Sequence, residues 1–213
     1  MVEENNQNKL ITITLAIIIC IAAITVLYVS LPQKDTSEEE NNETSDENEE
    51  EEPETILTMI YDNEQKKYTL EELEAMDTTT GYGGYRTSYP MIKGQATYTG
   101  IPATTLVELV AGSITNYSLF VVSNESGLVE NKTYNYSIVQ GNTNIYNSTN
   151  ASDDTPLETS GVTMIVCYKK DGEYLEEDND GKIKIAFVNE GEEKITTSSL
   201  WWKFVESIEI IEN

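Results

Sequence analysis

The run Gly81-Tyr82-Gly83-Gly84-Tyr85-Arg86-Thr87-Ser88-Tyr89 carries the residue types of a ligand loop. Glycines let backbone amides approach a bound group, tyrosine rings offer stacking faces, and a guanidinium clamps an anion through paired hydrogen bonds. Tyr82, Gly83, Gly84, Tyr85, Arg86 and Tyr89 are therefore the candidate ligand-binding residues. The competing reading is a turn-rich surface loop with aromatic packing. As a phosphate cradle the pattern is weak, because no clear strand-to-helix context surrounds it. A second run, Glu176-Glu177-Asp178-Asn179-Asp180-Gly181, sets carboxylates before a glycine as the start of a calcium loop does. Six residues after that glycine stands Phe187 where a bidentate glutamate is needed, so a solvated hairpin tip fits better.

Other chemistries are excluded by what the chain lacks. It contains no histidine, which removes Ser-His-Asp and Cys-His catalytic sets and most transition-metal sites. Its two cysteines, Cys20 and Cys167, form no CxxC pair, so zinc ribbons and thioredoxin-like sites are also excluded. The net charge of −25 repels phosphate backbones and anionic headgroups, so nucleic acid is not a partner and any membrane association must be hydrophobic.

Any site must be held by the elements around it, and the chain divides into four segments. After a short stub at residues 1–9, residues 10–31 form an uncharged apolar run. As a helix it rises roughly 33 Å, enough to cross the hydrocarbon core of a bilayer. It is longer than a signal-peptide core and lacks a good cleavage site near residues 28–30, which favours an uncleaved anchor. Cys20 follows Ile19 rather than a small residue, which speaks against a lipoprotein cleavage box. Residues 32–54 form an acidic tether. Its twelve carboxylates between positions 35 and 54, with no base among them, forbid a packed core.

Lys9 and Lys34 flank the apolar run almost symmetrically, so positive charge does not fix its orientation. Two other features place the C-terminal part outside the cytoplasm. The N-terminal stub is short, and Asn42, Asn116, Asn124, Asn131, Asn135, Asn147 and Asn150 each open an N-x-[ST] glycosylation acceptor. About three such acceptors would arise from composition alone.

Residues 55–213 are long enough to bury a core, and their periodicity is mainly that of strands. Strands are expected over 56–61, 119–123, 162–168, 182–188 and 207–212. In the fourth, Ile183, Ile185 and Phe187 should face inward, with Lys182 and Lys184 outward. Thr69 and Glu72 make a capping box that opens a helix through about residue 76. Pro102 opens a second helix over 103–111, stopped by Gly112. Cys167 reads as a small buried hydrophobe. If extended, Trp201 and Trp202 face opposite sides, with one in the core. These elements predict an α+β class, mostly β.

Five segments, in order, resemble the molybdopterin-binding oxidoreductase domain family, which has the sulfite-oxidase-type fold. They are Tyr68-Thr69-Leu70-Glu71-Glu72-Leu73, the Tyr98-Thr99-Gly100-Ile101-Pro102 stretch running to Gly112, Cys167 through Leu175, residues 181–188, and Trp202 through Ile210. The resemblance implies that fold, with the Tyr/Gly run in the place of the active-site loop. It also implies an ancestral molybdopterin cofactor. Active members carry a metal-ligating cysteine between the first helix and the Tyr98 segment, and residues 77–86 contain none. The phosphate partners are missing too, since Arg86 is the one arginine of the domain.

The chain is thus expected to be a sulfite-oxidase-like domain behind one transmembrane helix, non-catalytic and without cofactor. It would bind a small ligand or a surface protein. The alternatives are a molybdopterin-dependent oxidoreductase with an atypical metal site, and a structural glycosylated envelope protein.

Overall fold

Strand-forming residues dominate the domain, and two-residue turns fold them into hairpins. The computed structural model describes residues 53–191 and 194–213. The expected anchor at 10–31, nearly all of the tether, Cys20 and Asn42 lie outside the described residues. β1 (Thr55–Tyr61) turns through Asp62 and Asn63, both with positive φ, into β2 (Glu64–Thr69). Such pairs of left-handed residues match the twist of the flanking strands. Ser126-Gly127 joins β5 (Tyr117–Glu125) to β6 (Leu128–Asn135) in the same way, and Asp171-Gly172 joins β8 (Thr163–Lys170) to β9 (Glu173–Tyr174).

Two sheets result. The first has the order β2-β1-β12-β5-β6, with β12 (Val205–Glu212) parallel to β1 and the other pairs antiparallel. In the second, β3 (Thr79–Arg86), β4 (Ile92–Pro102), β8 and β10 (Lys184–Asn189) pair in sequence. β10 then pairs back onto β3 and closes a small four-stranded barrel. β11 (Lys194–Thr197) adds parallel to β3 and carries the two-residue β7 (Tyr146–Asn147). Between the sheets, Leu57, Met59, Val121 and Ile208 share one core cluster with Met164, Ile185 and Phe187.

The fold class departs from the α+β, sulfite-oxidase-type expectation. The domain is mostly β with a small barrel, and its helices are local punctuation. The capping box forms as expected, Thr69 Oγ1 accepting from the Glu72 amide at 3.2 Å. Yet α1 (Leu70–Glu74) lasts only five residues, because the chain returns to β structure at the β-branched Thr79 and Thr80. α2 (Ala103–Ala111), the longest at nine residues, stops at Gly112 with φ 72°. α3 (Tyr136–Val139) and α4 (Glu177–Asp180) are single turns. Among the described residues no helix is long and apolar enough to cross a membrane.

Strand β10 departs from its expected alternation, since all six of its residues are buried. It pairs on both edges as a barrel strand, and the 176–181 segment beside it is the helical turn α4 rather than a hairpin tip. Lys184 is therefore inside, facing Asp180.

Candidate ligand-binding cleft

At one end of the barrel lies a cleft of about 650 Å³. Its floor is charged and buried. Lys184 Nζ sits 2.9 Å from Asp180 Oδ1, 5.2 Å from the Tyr98 ring centre and 5.4 Å from that of Trp201. A lysine needs such partners to stay in an apolar wall. Lys203 brings a second ammonium to Asp180 at 3.0 Å. Burial pushes the Lys184 ammonium below the usual lysine range, against the pull of Asp180. Burial alone would raise the Asp180 carboxyl, but its two lysines outweigh that and hold it low.

The walls are aromatic. Tyr98 is buried, donates to the Gly94 carbonyl at 2.8 Å and meets Trp201 edge-on at 5.1 Å. Burial lifts its phenol far above the ordinary range. Tyr85 packs on the same indole at 5.3 Å. Across the opening, Tyr174 donates to Glu74 Oε1 at 3.0 Å. Asp171 ties the β8–β9 turn to the barrel, accepting from the Thr97 amide at 2.9 Å.

The rim carries Lys93, from β4, and Lys170, from the end of β8, both exposed. Neither has an ion-pair partner among the described residues. Eleven basic residues face 24 acidic ones in residues 55–213, so four lysines in one lining, matched by the four acids Asp171, Glu173, Glu176 and Asp180, make this opening richer in base than the rest of the domain. The acids that share the cleft lie mainly along one side, on the 171–180 segment. Its volume falls within the range of small-molecule sites, and its lining is more polar than theirs usually is.

The sequence-predicted residues are distributed differently. Tyr82, Gly83, Gly84, Tyr85 and Arg86 lie on strand β3 rather than in a loop, and Tyr89 follows in the β3–β4 connection with 78% exposure. The glycines serve barrel closure. A Cβ on Gly83 would sit 2.8 Å from the Phe187 carbonyl oxygen, and one on Gly84 would sit 3.0 Å from Ile195. The Tyr82 hydroxyl accepts from Gln95 Nε2 at 2.8 Å. Arg86 stacks on Tyr146 at 4.7 Å, donates to the carbonyls of Asp153 at 3.0 Å and Ala151 at 3.3 Å, and pairs with Asp154. Its guanidinium is committed to the chain itself. Of the six, Tyr85 alone lines the cleft.

Sequence reasoning missed Lys93, Tyr98, Lys170, Asp180, Lys184 and Lys203. One signal was present: Lys184 stands between Ile183 and Ile185 in a run that reads as core.

Molybdopterin, implied by the motif resemblance, does not fit the residues present. Cys167 is wholly buried, donates its thiol to the Lys169 carbonyl at 3.2 Å and does not line the cleft. Burial pushes that thiol up to about 12, so it is not a thiolate available to a metal. Among the described residues no group of three or more Cys, Asp or Glu side chains is placed to hold a metal ion.

No protein-family model matches the chain, and no curated protein matches it. Among solved structures, the sulfane dehydrogenase SoxCD from Paracoccus pantotrophus aligns with 74% of this chain at 14% identity and a TM-score of 0.47. The structural relation is weak, and the aligned region spans 38% of that protein's chain.

Proposed function

We propose that this chain is a membrane-anchored binding protein whose β domain lies outside the cytoplasm. It takes a small anionic ligand in the barrel-mouth cleft and catalyses no reaction itself. The observation that carries this reading is the pair of rim lysines, Lys93 and Lys170, which have no ion-pair partner among the described residues and stand above the Lys184–Asp180–Lys203 floor. A ligand carboxylate or phosphate would supply the missing counter-charge, and Tyr85 and Tyr174 would flank its apolar part. The uncharged run at 10–31 and the acidic spacer support anchoring and display, and the sequon load supports an exterior location. The motif order supports descent from the molybdopterin-binding oxidoreductase family. The cysteine-free β3 and the protonated, buried Cys167 support loss of the metal chemistry.

The test is thermal stabilisation of the full chain in mild detergent by a panel of carboxylates, phosphates and sugar acids. A ligand at 100 times its Kd should add about 2.7 kcal/mol. Lys93→Ala with Lys170→Ala should abolish the response. No response to any anion would retire the cleft and leave a structural envelope role. Stoichiometric molybdenum in the same sample would overturn the non-catalytic reading.

A further inference from the structure

The five-stranded sheet has two faces of different character. Leu119, Val121, Tyr134, Ile208 and Ile210 point into the core and are buried. The alternate residues point away: Phe120 and Val122 on β5, Ser207, Glu209 and Ile211 on β12, and Val129, Asn131, Thr133 and Asn135 on β6. Phe120 and Val122 are half-buried, Ile211 is 40% exposed and Val129 63%. Strand β6 is the outer strand of this sheet, so the apolar pair Phe120 and Val122 lies one strand in from an open edge. Bare edges of this kind invite pairing with another chain.

Two of the chain's glycosylation acceptors stand on that edge strand, facing the same side as Phe120 and Val122. In register, Asn131 lies opposite Val122, Thr133 opposite Phe120 and Asn135 opposite Ser118. Phe120 is therefore the diagonal neighbour of both asparagines, within reach of a large group on either. The amides are also free where attachment needs them. Asn131 is exposed and has no side-chain partner among the described residues. Asn135 Oδ1 accepts from the Ile138 amide at 3.0 Å to cap α3, and its Nδ2 has no partner among the described residues. Asn116 and Asn124 differ. Their Nδ2 groups donate to the Asn213 carbonyl at 3.1 Å and to Glu206 Oε1 at 2.9 Å, and Asn124 Oδ1 also holds the Gly127 amide at 2.8 Å.

We infer that Asn131 and Asn135 carry N-linked glycans that fold back over Phe120 and Val122 and cover the open edge. In the transfer, the asparagine Nδ2 loses one hydrogen as a proton and forms a bond to the anomeric carbon of a lipid-phosphate-linked oligosaccharide. The sugar's C–O bond to the phosphate breaks, and the lipid phosphate leaves. The apolar face of the first sugar then packs on the Phe120 ring, as ring faces accept apolar surface. This inference rests on the export proposed above.

The test uses the full chain made in a host that glycosylates translocated proteins. Glycopeptide mass spectrometry should find sugar on Asn131 and Asn135. The shift should vanish from the first in Thr133→Ala and from the second in Ser137→Ala. Phe120→Ala should lower the melting temperature of the glycosylated chain by roughly 2–4 °C more than it lowers that of the Thr133→Ala/Ser137→Ala chain. Protease treatment of intact cells separates the two readings. A cleavable domain with bare Asn131 and Asn135 overturns the glycan inference alone, and a protected, bare domain overturns the export reading and this one together. An equal Phe120→Ala effect in both chains overturns the packing of sugar on the ring.

Discussion

The barrel-mouth cleft and the outer face of the five-stranded sheet use side chains in opposite ways. The cleft gathers residues 85 to 203 from several strands and turns, and it buries charge: Lys184 is 5% exposed and Asp180 14%. The outer face is assembled from alternate residues of adjoining strands, and it leaves apolar side chains partly in water. On the cleft floor Lys184, Asp180 and Lys203 depend on one another at fixed distances, so loss of one is felt by the others. On the outer face each side chain contributes nearly alone. The lesson is that substitutions should be severe and coupled at the barrel mouth, mild and additive on the sheet.

The largest expected break is Asp180→Ala, which leaves Lys184 charged and unpaired between Tyr98 and Trp201. About 3–5 kcal/mol should be lost in chemical denaturation. A loss under about 1 kcal/mol would show the floor to be solvated and the contrast false. The same pair gives a pH signature. The folded Asp180 carboxyl lies below its unfolded value near 4, so its contribution is complete above that value and is lost as pH falls through the lower folded one. The denaturation midpoint should fall on acidification below about pH 4, and less steeply in Asp180→Asn.

Next comes Gly100→Ala, which tests the barrel wall without touching charge. Its Cβ would meet the Val166 carbonyl oxygen at 2.2 Å and the Cys167 Cα at 2.6 Å, where β4 crosses β8. Backbone must shift, at a cost of about 1–3 kcal/mol. Thr69→Ala, which removes the capping box below the first sheet, should lose about 1 kcal/mol in the same measurement. The smallest effect belongs to the outer face: Ile211→Ser, at 40% exposure, should change stability by no more than about 0.5 kcal/mol. A large loss there would mean that the face is packed against something.

Local structure was legible because it is set by local chemistry. The capping box at Thr69 and Glu72, the stop at Gly112 and the Asp171-Gly172 turn all stand where their residues require. Trp201 is in the core, with Trp202 only partly buried beside it. Class was read less well, because short helices with strong terminal signals suggested a larger helical share than they hold. The Tyr/Gly run reads as a loop and is strand β3, for a related reason. Glycine density marks either a loop or a close approach of backbones, and composition does not distinguish the two. At Gly83 and Gly84 the neighbours that require glycine, Phe187 and Ile195, lie more than a hundred residues away.

The sequence by itself determined which chemistries are closed to this chain, through its missing histidine and its lack of a CxxC pair, and it determined which segments extend, turn or cap. It also set the charge balance that makes a cluster of lysines significant. Only the tertiary structure decided where those lysines meet. Closing β10 onto β3 turned an alternating strand into a buried one with Lys184 under Asp180 and Lys203, and the packing of the 146–154 segment fixed Arg86 in a structural role. Alternation along a strand specifies two faces, and barrel closure decides whether both of them are inside.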